Sequence, residues 1–210
     1  MEAAVVGLGA LGTPAAWLLA DLGWHLRLID ADVVALSNLP RQVLYGPDDV
    51  GRSKAAVLAE RLGAGAVAVG ARIEAANLDA LAGVDLVVDG TDNWASRLVL
   101  DAWCRRARVP LLFLSALRWE GQAALLTPDG PCLRCLFGDG QEGPACFEVG
   151  LVGPVAGAVA AIGVSLVERW RDGSAEPFLW LVDVWDEEAA VRRVRLPHRP
   201  CAHGGVLDVG

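Results

Sequence analysis

Gly7-Leu8-Gly9-Ala10-Leu11-Gly12 follows an apolar run over residues 3–8 and opens a stretch of helical spacing over residues 12–22. That context limits the fold more than any other feature of the chain. A buried strand that ends in G-x-G-x-x-G and passes into a helix is the first turn of a nucleotide-binding α/β sheet. The glycines let backbone amides approach phosphate, and the helix N-terminus favours negative charge. The pattern specifies a nucleotide fold and not a reaction, and a merely tight strand-to-helix turn would share it.

The rest of the chain continues the alternation. Strands are expected at 25–29, 67–73, 84–89, 111–115 and 122–127, and helices at 53–62 and 94–108. Residues 31–51 and 131–150 read as loops, and 178–184 with 190–196 as a closing hairpin. The predicted fold class is α/β, a Rossmann-like, doubly wound, mostly parallel sheet with antiparallel strands added in the C-terminal half. One domain over 1–210 is expected: a nucleotide-binding part (1–130), a Cys-containing loop (131–150), then a long apolar helix, a hairpin and a Cys/His tail (151–210).

Residues 149–167 carry no charge and have the length of a membrane span. They are dominated by Ala, Gly and Val and flanked by Glu148 and Glu168. Small residues such as Gly153 and Gly157 suit close packing, and a buried core helix is expected. A formal net charge of −8 speaks against a broad grip on nucleic acid. Met1-Glu2 leads straight into the first strand with no basic leader, and five cysteines include a C-x-x-C pair. Both fit a reducing, cytoplasmic setting with no membrane anchor.

Asp30 ends the second strand, where an acidic residue suits a ribose hydroxyl. The stretch that follows is more polar than ribose recognition needs. Arg41 and Lys54 bring two cations to the phosphate side, as suits a triphosphate whose pyrophosphate must leave. Lys54 is the only lysine, against seventeen arginines. Either one lysine survived by chance, or the site needs a compact ammonium where a planar guanidinium does not fit. After the fourth strand come Thr91-Asp92-Asn93. Asp92 is placed either to bind magnesium or to cap the following helix.

The ordered set of motifs resembles the ubiquitin-activating-enzyme-like superfamily, with the bacterial ThiF, MoeB and HesA branch closest. It comprises Gly7/Gly9/Gly12, Asp30/Asp32, Ser37-Asn38-Leu39-Pro40-Arg41-Gln42, Val50-Gly51-Arg52-Ser53-Lys54 and Thr91-Asp92-Asn93. Arg118-Trp119-Glu120-Gly121-Gln122 and Cys132-Leu133-Arg134-Cys135 complete it. The resemblance implies an adenylyltransferase that uses ATP and Mg²⁺ to activate the C-terminal glycine carboxylate of a ubiquitin-fold sulfur-carrier protein ending in Gly-Gly. The pathway would be thiamine, molybdopterin or related sulfur transfer, and the assembly a homodimer. It implies nucleotide contacts from Gly7, Gly9, Gly12, Asp30, Asp32, Ser37, Asn38, Arg41, Gln42, Lys54, Asp92 and Asn93. Asp92 would hold Mg²⁺, and Arg41 and Lys54 would neutralise phosphate charge.

The resemblance also implies a structural zinc site. Cys132 and Cys135 supply one knuckle and Cys201 the third ligand. Gly204 stands at the expected fourth position, so either His203 or His198 completes a Cys₃His set or the metal has been lost. Cys146 matches a family cysteine of thioester or persulfide chemistry, or it is an inert loop thiol. Cys104 is expected in the core. Two departures stand out: Pro40 replaces a residue that is usually polar, and the family's upstream helical arm, whose arginine reaches a neighbouring subunit's phosphate site, has no counterpart before the first strand. The expectation is that this cation is either missing or comes from elsewhere, leaving activity weak or dependent on a partner protein. The alternatives are a non-catalytic or partner-dependent nucleotide-binding member, and a dehydratase that adenylates threonylcarbamoyladenosine on tRNA. An NAD-linked oxidoreductase lacks a visible acid or base.

Overall fold

A computed structural model describes residues 1–139, 150–186, 190–197, 201 and 203. The alternation forms β1 (Glu2–Val6), α1 (Gly12–Asp21), β2 (His25–Ile29), α2 (Lys54–Leu62), β3 (Ala66–Val69), β4 (Leu86–Asp89) and α3 (Trp94–Ala107). There follow β5 (Leu111–Leu117), β6 (Glu120–Leu126), α4 (Leu133–Phe137), α5 (Gly153–Arg171), β7 (Phe178–Asp183) and β8 (Val191–Arg195). One eight-stranded sheet takes the order β3-β2-β1-β4-β5-β6-β7-β8. The first five strands in that order run parallel and the last three pair antiparallel. The expected architecture is present.

The sheet carries a hydrophobic cluster on each face. Val5, Leu28, Val88 and Leu112 join the α1, α2 and α5 side, while Ala4, Ile29, Val87 and Phe113 join the α3 and α4 side. Every residue of β4 is buried, Asp89 included, and its Leu86-Val87-Val88 run lacks the polar alternation of a half-exposed strand. Edge strand β3 ends at Val69, short of the expected 73, because only Leu26–Ile29 remain as pairing partners. The expected loop after 131 contains the short helix α4, with Cys132 as its N-cap. Cys104 is buried, as expected.

The apolar helix runs from Gly153 to Arg171, later than the sequence pattern placed it. Its small residues allow close approach to the sheet. A Cβ on Gly163 would lie 2.6 Å from Leu114 Cδ2, and one on Gly121 of β6 2.2 Å from Val159 Cγ2 of α5. Among the described residues no helix is long and apolar enough to cross a membrane. The core assignment follows from packing: Val155, Val159, Ala160, Val164 and Val167 are all buried.

Candidate active site

β1 neighbours both β2 and β4, so the crossover direction of the sheet reverses there and a crevice opens at the strand C-termini. Gly7, with φ of 84°, turns the chain out of β1. A Cβ on Gly12 would sit 1.9 Å from Gly7 O, and one on Gly90 2.4 Å from the same oxygen. These three glycines therefore interlock backbone to backbone. Gly9 is different: within 4 Å its Cβ would meet only Gln42 Nε2, at 3.7 Å. The loop backbone at Gly9 is left open to a ligand.

The cleft has a volume of about 970 Å³ and is lined by Gly7, Gly9, Asp30, Asp32, Asn38, Arg41, Gln42, Lys54, Asp92 and Asn93, all expected from sequence. Gly12 and Ser37, also expected, are not among the lining residues; Ser37 is exposed, and its O accepts a 2.8 Å bond from Arg41 Nη1. Although the chain is acidic, four cations (Arg41, Lys54, Arg72 and Arg97) line the walls.

Lys54 stands in the first turn of α2, and its side chain is only 8% exposed. Its ammonium lies 3.2 Å from Asp32 Oδ2, and its N–H donates to Asp32 O at 3.0 Å. Asp30 acts on the backbone. Its two oxygens accept from Leu8 N and Asp32 N, both at 2.7 Å, which fixes the glycine loop and the turn after β2. Tyr45 O–H donates to Leu8 O at 3.1 Å and lies 3.4 Å from Lys54 O. Burial, helped by Asp30, pushes the phenol well above its ordinary range, so it serves as a neutral tie.

The end of β4 settles which residue caps α3. Asn93 is the N-cap and accepts from Ser96 N at 2.8 Å. Asp92, the alternative cap, is left to line the cleft. Asp89 is fully buried; its Oδ1 accepts from Thr91 N (2.9 Å) and Thr91 Oγ1 (2.6 Å), and Oδ2 has no hydrogen-bond partner among the described residues. Burial raises its pKa against the opposing pull of Arg97. The Arg97 guanidinium lies 4.9 Å over Phe113 and donates to Thr91 O at 2.8 Å.

A second cluster joins the start of α4 to the chain terminus. Cys132 Sγ lies 3.5 Å from Cys135 Sγ and 3.3 Å from His203 Nδ1. Cys135 Sγ lies 3.9 Å from Cys201 Sγ and 3.5 Å from His203 Nδ1. Tetrahedral zinc, with Zn–S about 2.3 Å and Zn–N about 2.0–2.1 Å, sets edges of about 3.8 Å between sulfurs and about 3.6 Å between sulfur and nitrogen. The four donors, all within 4.8 Å of one another, fit that ion. Between the two histidines the sequence offered, His203 is the one gathered here. His198 and Cys146 lie outside the described residues.

Sequence reasoning missed Tyr45, Arg72, Arg97, Phe113, Ser115 and Leu151. The last five line the cleft. Arg72 was hidden by the overlong β3 assignment. Phe113 and Ser115 carried a signal that was not used, since they alternate along a strand that points its C-terminal end at the cleft.

The sequence pattern of the ThiF family matches residues 1–203. The chain is 41% identical over 168 residues to the SAMP-activating enzyme E1 of Haloferax volcanii, covering 75% of this chain and 62% of that protein. It is 41% identical over 168 residues to the sulfur carrier protein ThiS adenylyltransferase of Escherichia coli K12, covering 75% of this chain and 67% of that one. Against the molybdopterin-synthase adenylyltransferase of the same organism, 36% of 207 residues are identical, covering 93% and 83%. The solved structure of E. coli MccB superposes with a TM-score of 0.81 at 21% identity, over 98% of this chain and 65% of that chain. At that identity the likeness is one of fold. With the family pattern matched across nearly its whole length, and the glycine loop, Arg41, Lys54 and Asp92 gathered on one cleft, this chain belongs to the ThiF family.

Proposed function

We propose that this chain uses ATP to adenylate the C-terminal glycine carboxylate of a small ubiquitin-fold sulfur-carrier protein ending in Gly-Gly. The observation that carries the reading is the buried Lys54 ammonium facing the same cleft as the glycine loop, Arg41 and Asp92. The names of two relatives, adenylyltransferases of the sulfur carrier protein ThiS and of molybdopterin synthase, supply the substrate class.

In the reaction a carboxylate oxygen attacks the α-phosphorus, the bond to the bridging oxygen breaks, and pyrophosphate leaves with the electron pair. The chain's work is placement and charge. Asp30 and Tyr45 hold Leu8, and so the glycine loop, from opposite sides through its N–H and its carbonyl. Lys54 and Arg41 face the charge that grows on the departing pyrophosphate. Asn38 and Gln42 position the nucleotide, and Asp32 accepts a hydrogen bond from the Lys54 ammonium. Asp92 is the residue that would hold Mg²⁺, which when bound neutralises phosphate oxygens. Cys132, Cys135, Cys201 and His203 would hold a structural zinc ion.

The reading treats the chain as one adenylation domain that acts as a homodimer in the cytoplasm, where ATP and reduced thiols coexist. Leu36 and Val43, 69% and 73% exposed near Arg41, offer an apolar surface to a second copy.

Exchange of labelled pyrophosphate into ATP tests the reading. Exchange should appear when E. coli ThiS is added, and remain at background without it. ATP binding with no exchange in the presence of a Gly-Gly carrier would contradict it and leave the non-catalytic alternative. Exchange that needs tRNA would favour the dehydratase.

A further inference from the structure

The face of β5 that carries Phe113, Ser115 and Leu117 is one continuous side of a strand, and all three residues line the cleft. It begins beside the catalytic turn, where Phe113 pairs with Asp89, and leads outward. At its outer end the chain reverses through Arg118 and Trp119, between the paired residues Leu117 and Glu120. Arg118 is held at φ of 53°, in the left-handed region that a non-glycine residue avoids. Contacts to the segment before α5 hold it there: its N–H donates to Gly150 O at 3.0 Å, and its carbonyl accepts from Val152 N at 3.2 Å. Backbone strain kept in place by such contacts is concentrated at functional sites.

The strained turn presents Trp119 beside Trp185, which follows β7. The ring centroids are 5.3 Å apart, the rings are tilted by 41°, and the residues are 42% and 73% exposed. Trp119 O accepts from Val184 N at 3.0 Å, so the two ring-bearing segments are tied together. Val184, also 44% exposed, widens the apolar surface. Two large aromatic side chains packed against each other and exposed to solvent mark a contact surface. Leu117, two residues before Trp119, and Leu151, bridged to Arg118, both line the cleft, so the turn that carries Trp119 adjoins the cleft's outer end.

We propose that Trp119 and Trp185 form a landing platform for the carrier protein's C-terminal segment and grip an apolar side chain upstream of its Gly-Gly end. This rests on the adenylation reading above and adds where the substrate is read. The length fits. Residues 113 to 117 span about 13 Å of strand, and an extended tail advances about 3.3–3.6 Å per residue. A carboxylate at the α-phosphate near Asp92 therefore places the platform roughly four to six residues before the terminal glycine. The cleft floor can accept the bare Gly-Gly, and the platform supplies the grip that glycines cannot.

The test measures pyrophosphate exchange against ThiS concentration, together with ATP binding followed by a fluorescent analogue. The proteins are wild type, the double variant Trp119→Ala/Trp185→Ala, and Trp119→Phe/Trp185→Phe. The alanine pair should raise the KM for ThiS about tenfold or more, with kcat and ATP affinity within about twofold, as expected when an interaction made equally in ground and transition states is lost. The phenylalanine pair should recover most of the affinity. On the carrier side, alanine at an apolar position four to six residues before the last glycine should raise the same KM and add little in the alanine pair. An unchanged KM in a folded, ATP-binding alanine pair overturns the platform and leaves the adenylation reading standing. Wild type that binds ATP but shows no exchange with ThiS overturns both.

Discussion

The glycine-loop cleft and the Cys/His cluster each join segments distant in sequence, yet they treat their polar groups in opposite ways. In the cleft some polar groups hold the loops, as Asp30 and the Lys54–Asp32 pair do, while others face the open volume. Gln42 Oε1 is buried with no hydrogen-bond partner among the described residues, Asp92 faces the open volume, and the cations line walls of a protein whose net charge is −8. In the cluster, three sulfurs and one nitrogen turn toward one another within 4.8 Å. A transient ligand requires the first arrangement and a resident ion the second.

If that contrast is right, damage to the two regions should differ in kind. The largest effect should come from Gly12→Ala, whose Cβ would meet Gly7 O at 1.9 Å with only backbone to give way. A loss of about 3 kcal/mol or more is expected, seen as failure to give soluble, cooperatively melting protein. Near-normal melting would mean the glycines do not interlock as described. Next comes Cys132→Ser. It should abolish one bound zinc per chain, measured by elemental analysis, and lower Tm by roughly 5–10 °C. Its effect on ATP affinity should be smaller than its effect on Tm, because of the short helix that Cys132 caps only Phe137 lines the cleft. A zinc-free wild type that melts as stably as the metal-loaded protein would remove the cluster from the structural account.

The adjacent residues Asp92 and Asn93 sharpen the contrast within a single turn. Asn93→Ala removes a helix cap and should lower stability by about 1 kcal/mol. Asp92→Ala should leave Tm nearly unchanged while abolishing Mg²⁺-dependent exchange. Equal Tm losses in the two variants would mean that Asp92 also has a structural task. The smallest effect concerns Asp89. Burial raises its pKa, so the native state keeps a proton that the unfolded chain has released. Its contribution is therefore complete below the unfolded value, about 3.9, and declines as pH rises from there through the folded value. Asp89→Asn should flatten the Tm-against-pH curve across that window. Parallel curves for variant and wild type would contradict the assignment.

Much of the cleft was legible in the sequence because its components are local. The glycine loop, Asp30 and Lys54 each sit at the end or start of an element, where spacing alone locates them. Asn93 was not distinguished from Asp92, since both residue types cap helices and only geometry shows which side chain turns back to Ser96 N. The extent of β3 was misjudged because pairing, not composition, ends an edge strand. Trp119 and Trp185 are brought together by the antiparallel pairing of β5, β6 and β7, which no short-range pattern reports. The choice of His203 likewise needed the fold.

The central claim is that Lys54 is an ammonium by requirement. Its side chain is 8% exposed and confined beside Asp32, where a planar guanidinium has a different shape and hydrogen-bond pattern. The decisive measurement is carrier-dependent pyrophosphate exchange by Lys54→Arg, set beside its melting curve. A fall of about a hundredfold or more, with an unchanged fold, is the predicted result. Near-normal exchange in that variant would contradict the account and return the single lysine to chance.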